Sequence, residues 1–559
     1  MFDPEDIIRL AQRQYRDNMS AISRLIATVS ILASLNCSIL PSRAEDLPRQ
    51  KRAAYKVIYN QDWISFFSYT KEPMTPAHVD HMVDEVADGG ADLMLINVNG
   101  QRVNYPSRVW QTHYTTHQQM KRLVDQGCDY LARALERCRQ AGIAPGVSVR
   151  MNDSHGTYAS GRHPWVSDFY WDHPQWQLKT KFRRKDQLFM HTFDYRQPEV
   201  REHYLALIRE LITGYRFDVL ELDFLRHPPY FPLASSGKTS SGKTSSGKHR
   251  AIMTDFIRTV RKLLNSSKGK NQLFVRVPDV AATSYELGLD VQRWTRDGLI
   301  DGVTASGFCH TSWQMNVDEF RRLIGEQVTF YAGVEYTASN PERFPLSDYE
   351  QRDPARFMPL DARKLRGFAA GYYASGADGV YLFNFFVPRA RQLFPDHETR
   401  FELLKELRDP ARLRGKPKTY TLTAGGNHWK YQGVDGPDQV PCVAEAALPR
   451  VFSMLLASEP ESRPIDVTVF VEGEPGNQLK DLRLHINEFS AGHALEIHSV
   501  ADEFLADSPQ DGNTSRNTKP VKKILFRARS KMLLDGRNRI TFQSDSVSLT
   551  LLTIEVRVN

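Results

Sequence analysis

VREHYLALIRELIT (residues 200–213), followed five residues later by VLELDF (residues 219–224), reads as an amphipathic helix running into a short strand. The first segment repeats apolar residues at three- and four-residue spacing, the period of a helix with one buried face. The second alternates. Leu220, Leu222 and Phe224 form an apolar face suited to packing against helices, while Val219, Glu221 and Asp223 point the other way.

Working outward, the same unit recurs. Candidate strands lie at residues 57–61, 93–98, 146–151, 219–224, 273–277, 302–305, 329–334 and 379–383, with helical patterns between them, such as residues 130–141, 251–264 and 362–374. Eight strand-then-helix units predict an α/β chain closed into a parallel (β/α)8 TIM barrel. An open doubly wound sheet usually carries a glycine-rich turn after its first strand, and here that position reads Asn60-Gln61-Asp62-Trp63. Beyond Pro417 the helical period gives way to alternating runs at residues 451–457, 465–472, 482–487, 524–528, 540–543 and 549–558, with turn residues between them. They predict a small antiparallel β-sandwich domain over residues 416–559 after a barrel over residues 51–415.

The 559 residues are 41% hydrophobic, 25% charged and 11% aromatic, a globular composition too polar for a multi-span membrane protein. The formal charge is +7, but Lys238, Lys243, Lys248 and Arg250 crowd one short tract, which leaves the rest near neutral. This predicts neither nucleic-acid nor membrane partners for the mature chain.

Residues 1–50 read as an N-terminal extension and address. From Met19, a charged Arg24, an apolar run at residues 25–35 and Ser42-Arg43-Ala44 form an export signal over residues 19–44. A secreted or periplasmic protein follows, with translation starting at Met19; a buried amphipathic helix is the alternative. Four cysteines remain after cleavage: Cys128, Cys138, Cys309 and Cys442. Cys128 and Cys138, placed on one helix, are too far apart to bridge. Dense metal-ligand spacing such as CxxC or HExxH is absent from the sequence, and no cofactor is expected.

Residues 237–244 satisfy GxxxxGK[ST], but the match arises from the tandem repeat SSGKTSSGKTSSGK (residues 235–248), with Pro228, Pro229 and Pro232 before it. A phosphate loop needs a strand directly before it and a helix directly after, so the segment reads as a low-complexity insertion.

Chemistry in such a barrel gathers at the carboxyl ends of the strands. Asp223 ends the fourth strand on its inward face, one alternation above Glu221. Glu335 ends the seventh strand on the face of Thr329, Tyr331 and Gly333. Carboxylates opposed across the mouth suit glycoside hydrolysis, in which one carboxyl protonates the leaving oxygen and the other attacks or activates water. A salt-bridge lattice filling the barrel is the alternative for Glu221. The third strand adds Ser148, Arg150 and Asn152 on its inward face, with His155 beyond them, and Arg150 is placed to hold Glu221 ionised. Asn97, Asn99, Arg226 and His227 extend the polar rim. Asp279 reads as a further acid or a turn cap, and Trp313 and other loop aromatics as sugar platforms.

RMNDSHG (residues 150–156), HPxW (residues 173–176), the passage at residues 193–231 and ASGADGVYLFNF (residues 374–385) together resemble secreted bacterial glycoside-hydrolase-like barrels related to the large retaining-glycosidase clan. The resemblance covers residues 56–410, and residues 533–558 look like the β-sandwich often appended to such barrels. It implies an acid at the end of strand four, matching Asp223 or Glu221, and a nucleophile at the end of strand seven, matching Glu335. An Asn-Glu pair normally ends strand four in that clan, whereas here it reads Glu-Leu-Asp-Phe; other glycosidase barrels place an Asp nucleophile there. The expected activity is hydrolysis of glycosidic bonds in a polysaccharide or oligosaccharide. A non-catalytic carbohydrate-binding barrel is the alternative, and a metal-assisted hydrolase using Asp153, His155, Asp223 and His227 is a third reading.

Overall fold

Short strands with both faces apolar need cover on both sides, and a closed barrel ringed by helices supplies it. Eight parallel strands close on themselves: β1 (Val57–Gln61), β2 (Leu93–Asn97), β3 (Ala144–Arg150), β4 (Val219–Asp223), β5 (Gln272–Pro278), β6 (Gly302–Ser306), β7 (Thr329–Glu335) and β8 (Gly379–Phe383). Each pairs with its sequence neighbours, and β8 returns to β1. The strands read from sequence are these eight, with ends displaced by at most two residues. The computed structural model describes residues 55–70, 72–114, 116–157, 161–178, 191–232, 246–267, 269–307, 311, 313–339, 357–383, 385, 401–423, 439–473, 475, 479–499 and 521–559. The export signal, Cys309 and the phosphate-loop match lie outside these residues.

Alternation sorts the side chains into two cores. Ile58, Leu93, Leu95, Val219, Phe274, Tyr331, Tyr381 and Phe383 pack inside the barrel. Leu220, Leu222 and Phe224 join the larger core between strands and helices, as their parity requires. The surrounding helices include α1 (Pro76–Asp88), α2 (Tyr130–Gln140), α3 (Pro198–Gly214), α4 (Ser246–Ser266) and α5 (Ala362–Ala374). Residues 246–248, the end of the tandem repeat, open α4. Cys128 precedes α2 rather than lying on it; Cys128, Cys138 and Cys442 are free thiols. Among the described residues no helix is long and apolar enough to cross a membrane.

After the barrel, β9 (Lys418–Thr423) starts a six-stranded antiparallel sheet that faces a four-stranded one, forming the expected sandwich. Residues 51–559 form one compact unit. Buried Lys418 pairs with Glu459, whose other oxygen accepts the Gly415 N–H at 2.9 Å. Helix α5 lies directly on the sandwich, and two glycines one turn apart permit it. A Cβ at Gly367 would come 2.1 Å from the Thr419 carbonyl oxygen, and one at Gly371 2.4 Å from that of Leu455. Gly367→Ala should therefore lower stability by about 1–3 kcal/mol through overpacking, outweighing the roughly 1 kcal/mol that alanine gains in a helix. A thermal melt of the variant checks this, and an unchanged or higher Tm would count against close packing at this seam.

Candidate active site

The inward faces of adjacent strands stack in layers. In the lower layer, Ser148 on β3 lies level with Glu221 on β4. Glu221 Oε1 accepts three hydrogen bonds: from Ser148 Oγ at 2.7 Å, Tyr381 OH at 2.9 Å and Asn60 Nδ2 at 3.1 Å. Its Oε2 is buried with no hydrogen-bond partner among the described residues. Burial, then the nearby charge of Asp223, pushes this carboxyl up to about 7. The hydrogen bonds from Ser148 and Tyr381 favour the anion, but burial and Asp223 outweigh them.

One layer higher, Arg150, Asp223 and Arg276 stand level on β3, β4 and β5. Arg276 is completely buried. Its Nη1 lies 3.4 Å from Asp223 Oδ2, and its Nη2 donates to Glu335 Oε1 at 2.6 Å and Ser306 Oγ at 3.2 Å. Phe383, level with Glu335 on the neighbouring strand, presents its ring 4.2 Å from the guanidinium. The second Asp223 oxygen accepts the Leu225 N–H at 3.0 Å. The two carboxylates that the sequence set opposite each other are thus separated by the width of one guanidinium and two polar contacts. Burial pushes the Glu335 carboxyl above its ordinary range, against the lowering effects of Arg276 and Arg226.

Arg150 does not contact Glu221, contrary to the sequence reading. Its Nη2 lies 3.0 Å from Asp62 and its Nη1 3.1 Å from Asp153. Two closer carboxylates, from the loops after β1 and β3, take the charge, and neutral donors serve Glu221 instead. Asp153 also receives the Nδ1 of His155 at 2.8 Å. Burial works against its charge, but His155, His227 and Arg150 hold it well below the usual carboxylate range.

Asp153, His155 and His227 offer atoms within 4.8 Å of one another, a grouping that could hold a cation. Asp223 is not part of it. The His227 Nδ1 lone pair already accepts the Ser154 N–H at 2.7 Å, so a cation on that nitrogen would have to displace the amide. His155 is partly exposed at the mouth, its ring 4.5 Å from that of buried His227.

Other residues singled out from sequence have structural partners. Asn97 donates to the Ser148 carbonyl at 3.2 Å. Asn152 ties loops together, bonding to the backbone of Phe193 and Pro229. Asn99 clamps the backbone of Arg150. Arg226 lies at the rim, 5.4 Å over the Phe383 ring. Asp279 is partly buried just past β5, and its charge acts on the Tyr372 hydroxyl. Trp313 is buried against Phe368, in the core and not on a platform. Trp63, Phe67, Tyr105, Trp110 and Tyr170 are likewise buried, whereas Trp165, Trp171 and Trp176 keep part of their surface exposed.

Sequence reasoning missed Arg276, Tyr381 and Asn60. The signal was present: in QLFVRVP (residues 272–278), alternation places Arg276 on the inward face with Phe274.

Searches of family models and of curated proteins find no match to the chain. Solved structures give distant likenesses. α-L-fucosidase isoenzyme 2 from Paenibacillus thiaminolyticus aligns at 12% identity and TM-score 0.40, over 64% of this chain and 49% of its own. The PgaB (BpsB) glycoside hydrolase domain from Bordetella bronchiseptica aligns at 10% and 0.41, over 64% and 99%. The maltogenic α-amylase AmyB from Thermotoga neapolitana aligns at 10% and 0.36, over 89% and 98%. The chain spans about half the length of the fucosidase and 58% of a Paenibacillus glucanotransferase. At TM-scores below 0.5 these likenesses carry no weight for function, which has to be argued from the site.

Proposed function

We propose that the protein is a glycoside hydrolase acting on O-glycosyl bonds of a polysaccharide or oligosaccharide, with Asp223 as nucleophile and Glu335 as proton donor and acceptor. One observation carries this reading: three buried carboxyls, Glu221, Asp223 and Glu335, face the inside of the barrel, and the Arg276 guanidinium contacts the latter two. Three buried carboxylates around one bonded guanidinium would be costly if all were ionised. Glu221 and Glu335 are the two that burial pushes up. Asp223 accepts an N–H on each oxygen, and a carboxyl that gives a proton beside a carboxylate that attacks is the pairing that glycoside cleavage requires.

The resemblance alone favours the opposite roles, with Glu335 attacking. The reason for exchanging them is the upward shift of the Glu335 carboxyl, set against the two N–H groups that Asp223 accepts. Retention of anomeric configuration is the outcome that the resemblance implies; a carboxyl separation of about 5–5.5 Å matches it, and about 6.5–9.5 Å would imply inversion. The export signal read at residues 19–44 would place the enzyme outside the cytoplasm.

The test is incubation of the full chain and its Glu335→Gln variant with a panel of neutral and anionic glycans, following released oligosaccharides by mass spectrometry and the first-formed anomer by proton NMR. Release by the wild type, reduced by about 10²–10⁴-fold in the variant, with the substrate's configuration in the product, is expected. Binding of one glycan with no release by either protein would favour the non-catalytic carbohydrate-binding reading.

A further inference from the structure

Arg276 needs an explanation beyond neutralising charge. A long cation buried at full depth in a barrel is expensive, and a salt bridge there contributes little net stability compared with an apolar filling. Its two terminal nitrogens are divided between two carboxyls: Nη2 at 2.6 Å from Glu335 and Nη1 at 3.4 Å from Asp223. Phe383, Tyr381 and Ser306 hold the guanidinium in place. We infer that Arg276 is the positioning residue that lets Glu335 serve first as proton donor and then as proton acceptor, by keeping one N–H on Glu335 and one on Asp223. This inference rests on the glycosidase reading.

The chemistry makes two opposite demands on Glu335. In the first step an Asp223 oxygen bonds to the anomeric carbon while the glycosidic C–O bond breaks, and the leaving oxygen takes the proton of Glu335. In the second step water attacks that carbon, its proton passes to Glu335, and the bond to Asp223 breaks to restore the carboxylate. During the interval Asp223 is a neutral ester, and Glu335 must persist as a buried anion able to act as base. Burial opposes that state. The groups facing Glu335 are Arg276 on β5, Asp223 on β4 and Arg226 beyond it; Glu221 and Tyr381 in turn face Arg276. Among the described residues, Arg276 and Arg226 favour the anion, and Arg276 is hydrogen-bonded to it. Once Asp223 is esterified, the Arg276 charge is answered by Glu335 instead of being shared.

Losing Arg276 should therefore spare the first step and impair the second. With a glycan that the wild type turns over, Arg276→Gln is expected to accumulate a covalent glycosyl-enzyme at pH 7, visible as added mass on the intact chain. The alkaline limb of its kcat/KM profile should move up by about one pH unit or more. Arg276→Lys, which keeps the charge but cannot span both carboxyls, should fall between the two. Thermal melts of both variants separate this from loss of fold. No added mass together with an unmoved alkaline limb would overturn the inference.

Carbon-13 NMR titration of the Glu335 carboxyl, assigned with Glu335→Gln, gives a readout that needs no substrate. Its midpoint should rise in Arg276→Gln, and an unchanged midpoint overturns the inference. A raised midpoint in a protein that cleaves no glycan would instead sink the glycosidase reading and leave the electrostatic coupling standing.

Discussion

Asp223→Asn should cost at least about 10³-fold in kcat while leaving glycan affinity and Tm close to those of the wild type. Asparagine has the shape of the carboxylate, and its Oδ1 can still accept the Leu225 N–H. What it lacks is the negative charge and the oxygen nucleophile. The loss therefore falls on the transition state rather than on ground-state binding, and it appears in kcat. Removing the charge also leaves Arg276 to Glu335 alone, which favours ionised Glu335 and withdraws the proton donor. One substitution thus disables both roles. Smaller side chains separate them. Asp223→Ala opens room for azide to attack the substrate directly, which gives a glycosyl azide of inverted configuration. Glu335→Ala leaves the covalent intermediate to form slowly from an activated substrate, and azide then gives the retained product. The reverse pattern would assign Glu335 as nucleophile and Asp223 as acid, the roles implied by the resemblance. Retention of most activity in Asp223→Asn would remove Asp223 from the chemistry altogether.

The barrel was legible because its signals are local and repeated: short β-branched runs, helical spacing between them, and inward parity fixed by two-residue alternation. Parity also placed Glu221, Asp223 and Glu335 on the inward face, because a carboxylate inside an apolar strand stands out. Arg276 obeys the same parity, but a basic residue on an inward face is not by itself a signature of acid–base chemistry. Partner choice was not legible. Arg150 has acids available on several elements, and its pairing with Asp62 and Asp153 depends on how the loops after β1 and β3 fold over the mouth. Trp313 shows the same limit. A loop tryptophan looks like a sugar platform until a helix from another part of the chain, α5, supplies Phe368 to bury it. His155 and His227 meet because β3 and β4 are neighbours, a consequence of barrel order that spacing alone does not reveal.

Glu221→Gln should flatten the dependence of stability on pH. In the folded protein the Glu221 carboxyl is pushed from 4.5 up to about 7 by burial and by Asp223. The folded state therefore holds a proton between those two values that the unfolded chain has released. The contribution of this group is full below pH 4.5 and falls as pH rises toward 7, because the folded state must then either keep the proton against the solution or bury the anion. A rise of this size corresponds to about 3 kcal/mol lost across the window. Burial of Glu335 works in the same direction, so the wild-type slope contains both groups and the difference between wild type and variant isolates Glu221. Glutamine can accept from Asn60, Ser148 and Tyr381 through one oxygen, as the neutral acid does, and it has no proton to lose. Melting curves from pH 4.5 to 8 should show the variant gaining on the wild type by several degrees as pH rises. Parallel profiles would mean that Glu221 is ionised throughout, held by a cation or by water at Oε2.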